Sequence, residues 1–227
     1  MNPYLCGRMN TSFTEENYLK TIYKLAGDSH GAVSTNAIAE ILQTKASSVT
    51  DMIKKLCDKK LVDHTRYQGV KLTLEGQKRA LDIVRKHRLW EVFLVDRLGM
   101  GWELVHDIAE QLEHTNSETL YGHLDKYLNY PRFDPHGDPI PDSKGKIERQ
   151  SQVSIADLPP GSETIVAGVK DHLPDFLQFL QEVGLTPGAS LAVTRRLEFD
   201  GSTGVKIAGG NEIMISRQVA ASILVKA

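Results

Sequence analysis

Long hydrophobic runs are missing from this 227-residue chain. No stretch approaches the roughly 18 consecutive apolar residues that a membrane-spanning helix needs. The N-terminus also lacks the charged-then-apolar order of a secretory signal, so neither export nor membrane association is expected, and both Met1 and Met9 stand as candidate starts. Cysteine is scarce: Cys6 and Cys57 are the two present, far apart and without a CxxC, which excludes a disulfide framework and a zinc ribbon. A reducing cytoplasm fits. A large net charge is also lacking, at −2, so the overall balance says nothing about a polyanionic partner.

The distribution of charge is more informative. Between Lys45 and Arg88 there are 12 Lys/Arg against 5 Asp/Glu, and between Glu91 and Arg149 there are 6 against 12. A basic block followed by an acidic one suits a polyanion-binding part joined to a part that holds cations, although two ordinary solvated helical faces give the same count.

Apolar periodicity predicts a helix over 14–25, opened at Thr14 and ended by Gly27, then a short helix over 35–42 capped by Ser34 or Thr35. After a break at 43–45, a third helix over about 47–59 buries Val49, Met52, Ile53 and Leu56. Two alternating segments, 61–65 and 70–73, read as a hairpin turned at Tyr67-Gln68-Gly69. Together these form a winged helix-turn-helix. Long helical patterns follow over 74–98, 102–114 and 117–128, then a Pro-rich linker over 129–155. Beyond it, strands at 163–167, 190–193 and 212–215 with a helix at 174–183 predict a small, SH3-like barrel. The fold class is mainly α with β, divided as 1–74, 75–150 and 151–227.

Two constellations carry chemistry. The third helix presents Ser47, Ser48 and Thr50, which can bond phosphates or base edges, and Lys54 and Lys55, which can neutralise phosphates. Thr14, Thr35, Lys45, Asp51 and Tyr67 join them as candidate DNA contacts. The bland alternative is that Ser47 and Ser48 only cap the helix. In the acidic block, His106, Glu110, Glu113 and His114 fall at i, i+4, i+7 and i+8, on one face of a single predicted helix. The preceding helix adds His87 and Glu91, and the Pro-rich segment adds Asp134 and His136. Mixed imidazole and carboxylate donors suit Mn²⁺, Fe²⁺, Co²⁺ or Zn²⁺.

Four blocks resemble the diphtheria-toxin-repressor family of metal-dependent regulators, in particular its manganese-responsive members: residues 14–23, 85–91, 105–114 and 135–141. The resemblance implies a primary metal site of Asn17, Glu110, Glu113 and His114. It implies a second site drawing on His87, Glu91, His106, Asp134 and His136, with Asp171 added from the C-terminal part. Position 110 carries Cys in iron-responsive members and Glu in manganese-responsive ones, so Glu110 favours Mn²⁺. Where Asp or Met is common, this chain has Asn17, a weaker donor, so iron stays open as the activating ion and Zn²⁺ or Co²⁺ as substitutes in vitro. The implied protein is a homodimer that binds palindromic operator DNA and represses metal-transport genes when the ion holds its recognition helices about one DNA turn apart, roughly 34 Å. No small-molecule substrate and no enzymatic activity are expected. The rivals are a metalloenzyme, disfavoured by the lack of a HExxH, and a winged-helix regulator that senses something other than metal.

Overall fold

The computed structural model describes residues 11–27, 31–65, 68–148 and 150–227. They form two units: residues 1–86, 113–116 and 141–146 make the first, and 87–112, 117–140 and 147–227 the second. Cys6, Met1, Met9 and Tyr67 lie outside the described residues.

The first unit begins with α1 (Phe13–Ala26), opened by Ser12 and not by Thr14. The Ser12 hydroxyl accepts from the Glu15 amide while the Glu15 carboxylate accepts from the Ser12 amide, a reciprocal capping box that satisfies two otherwise unpaired donors. Then come α2 (Thr35–Ile41), capped by Ser34, and α3 (Ala46–Asp58). The N-cap of α3 is Lys45, so Ser47 and Ser48 sit inside the first turn with exposed side chains and do not cap the helix. Val49, Ile53 and Leu56 of α3 are buried at helical spacing against Leu19, Ile22 and Ile38. The wing is β1 (Val62–Thr65) paired antiparallel with β2 (Gly69–Leu72), and Val33 bridges Val70 as a third rung.

Helix α4 (Leu74–Asp96) starts in the first unit and ends in the second. In the second unit, α5 (Val105–Leu112) is shorter than its periodicity suggested, and α6 (Glu118–Tyr127) follows with Ser117 as its N-cap. Residues 113 and 114 therefore form a turn, and the single four-ligand helical face does not exist. The physical reason is competition: Glu113 and His114 bond side chains of α1, and the Ser117 cap needs extended backbone before α6.

The Pro-rich segment is not a bare linker over its first half. Phe133 pairs with Pro139 across a tight loop, and Asp134, His136 and Ile140 are buried. A six-stranded antiparallel sheet closes the unit: β3 (Gln152–Ser154), β4 (Glu163–Val169), β5 (Ser190–Arg196), β6 (Thr203–Ile207), β7 (Glu212–Ile215) and β8 (Ile223–Lys226), in the order β3-β8-β4-β5-β6-β7. Bulges in β4 at 166–168 and in β5 at 193–195 bend it. Its core also takes in α7 (Pro174–Val183), α8 (Arg217–Ser222) and Trp102.

Candidate metal centre and DNA-reading face

Glu91, one turn along α4 from His87, is buried where three imidazoles meet. Its Oε1 lies 3.0 Å from His87 Nε2, 3.4 Å from His106 Nδ1 and 3.8 Å from His136 Nδ1, while the His87 and His106 nitrogens are 3.1 Å apart. Two triads share this carboxylate: His87, Glu91 and His106, and Glu91, Asp134 and His136. Helix spacing explains the first pair, and the 133–139 loop brings in the second.

His136 is oriented with care. Its Nε2 lies 2.9 Å from the Trp102 carbonyl, an acceptor only, so Nε2 carries the hydrogen and Nδ1 of the neutral ring has its lone pair turned towards Glu91. That Nδ1 is buried and without a hydrogen-bond partner. The ring stacks on Trp102 at 5.7 Å and on His172 at 4.7 Å between centroids. A buried lone pair facing a carboxylate among further imidazoles fits a divalent ion. Burial pushes Glu91 upward, yet its bonds to His106 and His87 outweigh this and hold it well below the usual carboxylate range. Asp134 goes the other way: burial, with Glu91 and Asp138 adding to it, raises its carboxyl well above the usual range despite Arg88.

The loop itself is pinned. Asp134 Oδ1 accepts from the His136 and Asp138 amides, each at 2.9 Å. Arg88 reaches Asp134 at 3.4 Å and Asp138 at 2.7 Å. Gly137, at φ +88°, passes so close to β4 that an added Cβ would lie 2.1 Å from the Ala167 carbonyl oxygen, and one on Gly168 would lie 2.7 Å from that of His136. Arg88 and these two glycines were not singled out from the sequence; an Arg one residue after His87 in a run of other bases carries no distinguishing pattern.

In the first unit, His114 Nδ1 sits 2.6 Å from Glu16 Oε2. The carboxylate accepts, so the neutral ring leaves its lone pair on Nε2, which is buried, lacks a hydrogen bond and lies 3.5 Å from Glu113 Oε1. Glu113 is fully buried and accepts two bonds from Lys20 Nζ, at 2.7 and 2.9 Å. Neither Glu16 nor Lys20 was expected here; their one-turn spacing on α1 was the available signal. Asn17 is half-buried on the same helix. Glu110 belongs to the second unit, half-buried on α5 at 3.8 Å from His106. Asp171 accepts from the Leu173 amide just before α7.

On α3, Ser47, Ser48, Thr50, Asp51, Lys54 and Lys55 are all exposed, as are Lys45 and Thr14, while Thr35 is half-buried at the start of α2. Thr50 bonds the Ala46 carbonyl at 3.0 Å, and Lys54 lies 3.5 Å from Asp51 with both side chains more than two-thirds exposed. Such a pair leaves the ammonium available to a phosphate.

A helix-turn-helix with a wing, joined to buried imidazole–carboxylate clusters, defines a metal-regulated DNA-binding protein. The N-terminal DNA-binding domain profile of the iron-dependent repressors matches residues 10–70, their metal-binding and dimerisation domain profile matches 73–142, and the FeoA domain profile matches 153–227. The chain belongs to the iron-dependent repressor family of transcriptional regulators. It is 31% identical over 229 residues to the iron-dependent repressor IdeR of Mycobacterium tuberculosis, covering 94% of this chain and 96% of the relative. It is 34% identical over 137 residues to the regulator MntR of Oceanobacillus iheyensis, 60% of this chain and 90% of that one. Among solved structures, a manganese-dependent transcriptional repressor in complex with manganese superposes with a TM-score of 0.82 at 37% identity, over 94% of this chain and 99% of the other.

Proposed function

We propose that this chain is a manganese-activated repressor that works as a homodimer in the cytoplasm, binding palindromic operator DNA and controlling metal-transport genes. The observation that carries the metal reading is the pair of buried imidazole lone pairs, on His136 Nδ1 and His114 Nε2, each turned towards a buried carboxylate and without a hydrogen bond. Glu113 and His114 form the heart of the primary site, to which the resemblance adds Asn17 and Glu110. His87, Glu91, His106, Asp134 and His136 form the second site, to which it adds Asp171. Residues 1–74 serve as the reading head, 75–150 as the metal-binding and dimer-forming part, and 151–227 as the SH3-like part.

A bound divalent ion supplies the positive charge that joins these donors. The donors belong to different stretches of chain, so binding couples their positions. Any DNA affinity gained on metal binding is returned as metal affinity gained on DNA binding. The α3 hydroxyls and lysines, with Lys45, Thr14, Thr35 and Tyr67, meet the operator. Manganese over iron rests on the oxygen donor Glu110; a second reading, ferrous iron, draws on the iron-dependent relatives.

The experiment is a gel-shift on the chain's upstream DNA with Mn²⁺, Fe²⁺, Zn²⁺ or chelator. Operator binding is expected only with metal, tightest with Mn²⁺, and lost in a Glu113→Ala/His114→Ala variant that keeps its helical circular dichroism. Apoprotein that holds the operator as tightly as the Mn²⁺-loaded form sinks the proposal.

A further inference from the structure

Lys20 is an unusual neighbour for a metal ligand. Its ammonium contacts both oxygens of Glu113, at 2.7 and 2.9 Å, and the two side chains are 5% and 0% exposed. On the other side of the same carboxylate, Oε1 lies 3.5 Å from His114 Nε2, the buried nitrogen without a hydrogen bond. Two donors held by one ion at about 2.1 Å stand roughly 3 to 3.5 Å apart at right-angled to tetrahedral geometry. Glu113 Oε1 and His114 Nε2 already have that separation. The oxygen that serves a divalent cation is thus the oxygen 2.7 Å from Lys20 Nζ.

We infer that Lys20 is an internal competitor of the activating ion: its ammonium neutralises Glu113 in the metal-free protein, and it raises the metal concentration at which this site fills. The inference rests on the metal-site reading above and adds a residue that sets its threshold. Two positive charges sharing one buried carboxylate repel each other far more than they would in water. A cation entering beside His114 Nε2 therefore either shares Glu113 with the ammonium at a cost or displaces it. Conversely, without the ion and without Lys20, Glu113 would be a buried charge lacking its closest counter-charge, which is strongly unfavourable. The lysine thereby stabilises the empty state and penalises the filled one, and both effects lower affinity. Glu16 completes the arrangement, because its bond to His114 Nδ1 keeps Nε2 turned towards Glu113 whether or not an ion is present.

The test is isothermal titration of the full-length chain with Mn²⁺ alone, taking the ion lost in His114→Ala as the one held by this site. Lys20→Met should tighten that ion about ten-fold or more. It should also lower the melting temperature of the metal-free chain and enlarge the rise produced by Mn²⁺. If Lys20→Met does not fold without metal, Lys20→Gln, whose amide can still bond Glu113, carries the measurement with the same expectation. Affinity that is unchanged or weaker in the variant means that Lys20 positions Glu113 for the ion, and overturns the inference alone. A wild-type chain whose Mn²⁺ stoichiometry is no greater than that of His114→Ala removes the metal site itself, and this inference with it.

Discussion

Two imidazoles in this chain are anchored through opposite ring nitrogens with the same outcome. His114 gives Nδ1 to Glu16 and presents Nε2, whereas His136 gives Nε2 to the Trp102 carbonyl and presents Nδ1. In each case an acceptor-only partner fixes the tautomer and aims the remaining lone pair at a carboxylate. Glu16 is therefore an orienting residue for His114. Glu16→Gln, which permits the ring to turn or change tautomer, should weaken the metal bound at this site by about 10- to 100-fold. Titration with Mn²⁺, with ions at the second site as internal control, checks this; wild-type affinity in the variant would show that His114 needs no such partner.

Among the elements, α1 has the most demanding role, since it supplies both Glu16 and Lys20, and its start is fixed by the Ser12–Glu15 capping box. Ser12→Ala should cost about 1 kcal/mol in a urea melt. Burial pushes the Glu15 carboxyl up, but bonds from Lys59 and Ser12 more than offset this and leave it below its ordinary value. A carboxylate lowered on folding stabilises the folded state at neutral pH, and that contribution fades as pH falls through the unfolded value of about 4.3 towards the folded one. The stability gap between wild type and Glu15→Gln should accordingly be widest near neutral pH and close on acidification. A gap that widens in acid would contradict the capping role. Legibility also varied by element. The apolar stripe of α3, the Ser34 cap of α2, the wing and the helix Pro174–Val183 were readable because burial or capping there follows local pattern; in α2 only Ile38 is buried and Ile41 is exposed. The end of α5 was not, because the turn at Glu113 and His114 is held by partners 93 and 98 residues away. Strands β6 and β8 escaped notice for different reasons: Gly204 interrupts one, and Ile223-Leu224-Val225 of the other is a continuous apolar run with no alternation to mark it. Of the candidate ligands, the i, i+4 pair His87 and Glu91 was legible from spacing alone, while the counter-charges Lys20 and Arg88 were not, since a basic residue in mid-helix looks the same in sequence whether it faces water or a buried carboxylate.

At the scale of the whole molecule, the uneven charge predicts how DNA binding responds to salt. Lys54 and Lys55 stand exposed on α3, so replacing both with Ala should reduce the slope of log K against log salt by about 2 for each protomer bound. The loss should be similar on operator and unrelated DNA. An unchanged slope would place the phosphates elsewhere. The buried face of the same helix belongs to the first unit's own core, which lets the reading surface vary without disturbing the fold.

The close approach of Gly137 to Gly168 has a longer reach than its size suggests. The His136 carbonyl receives the Val169 amide at 3.0 Å, so the turn that carries an inner imidazole is laced to the middle of the six-stranded sheet. A β domain of this kind is easily taken for an accessory that a lineage can shed or exchange. Here a single methyl group on either glycine would wedge the lacing apart and unseat His136, tying inheritance of the sheet to inheritance of the imidazole–carboxylate cluster it braces.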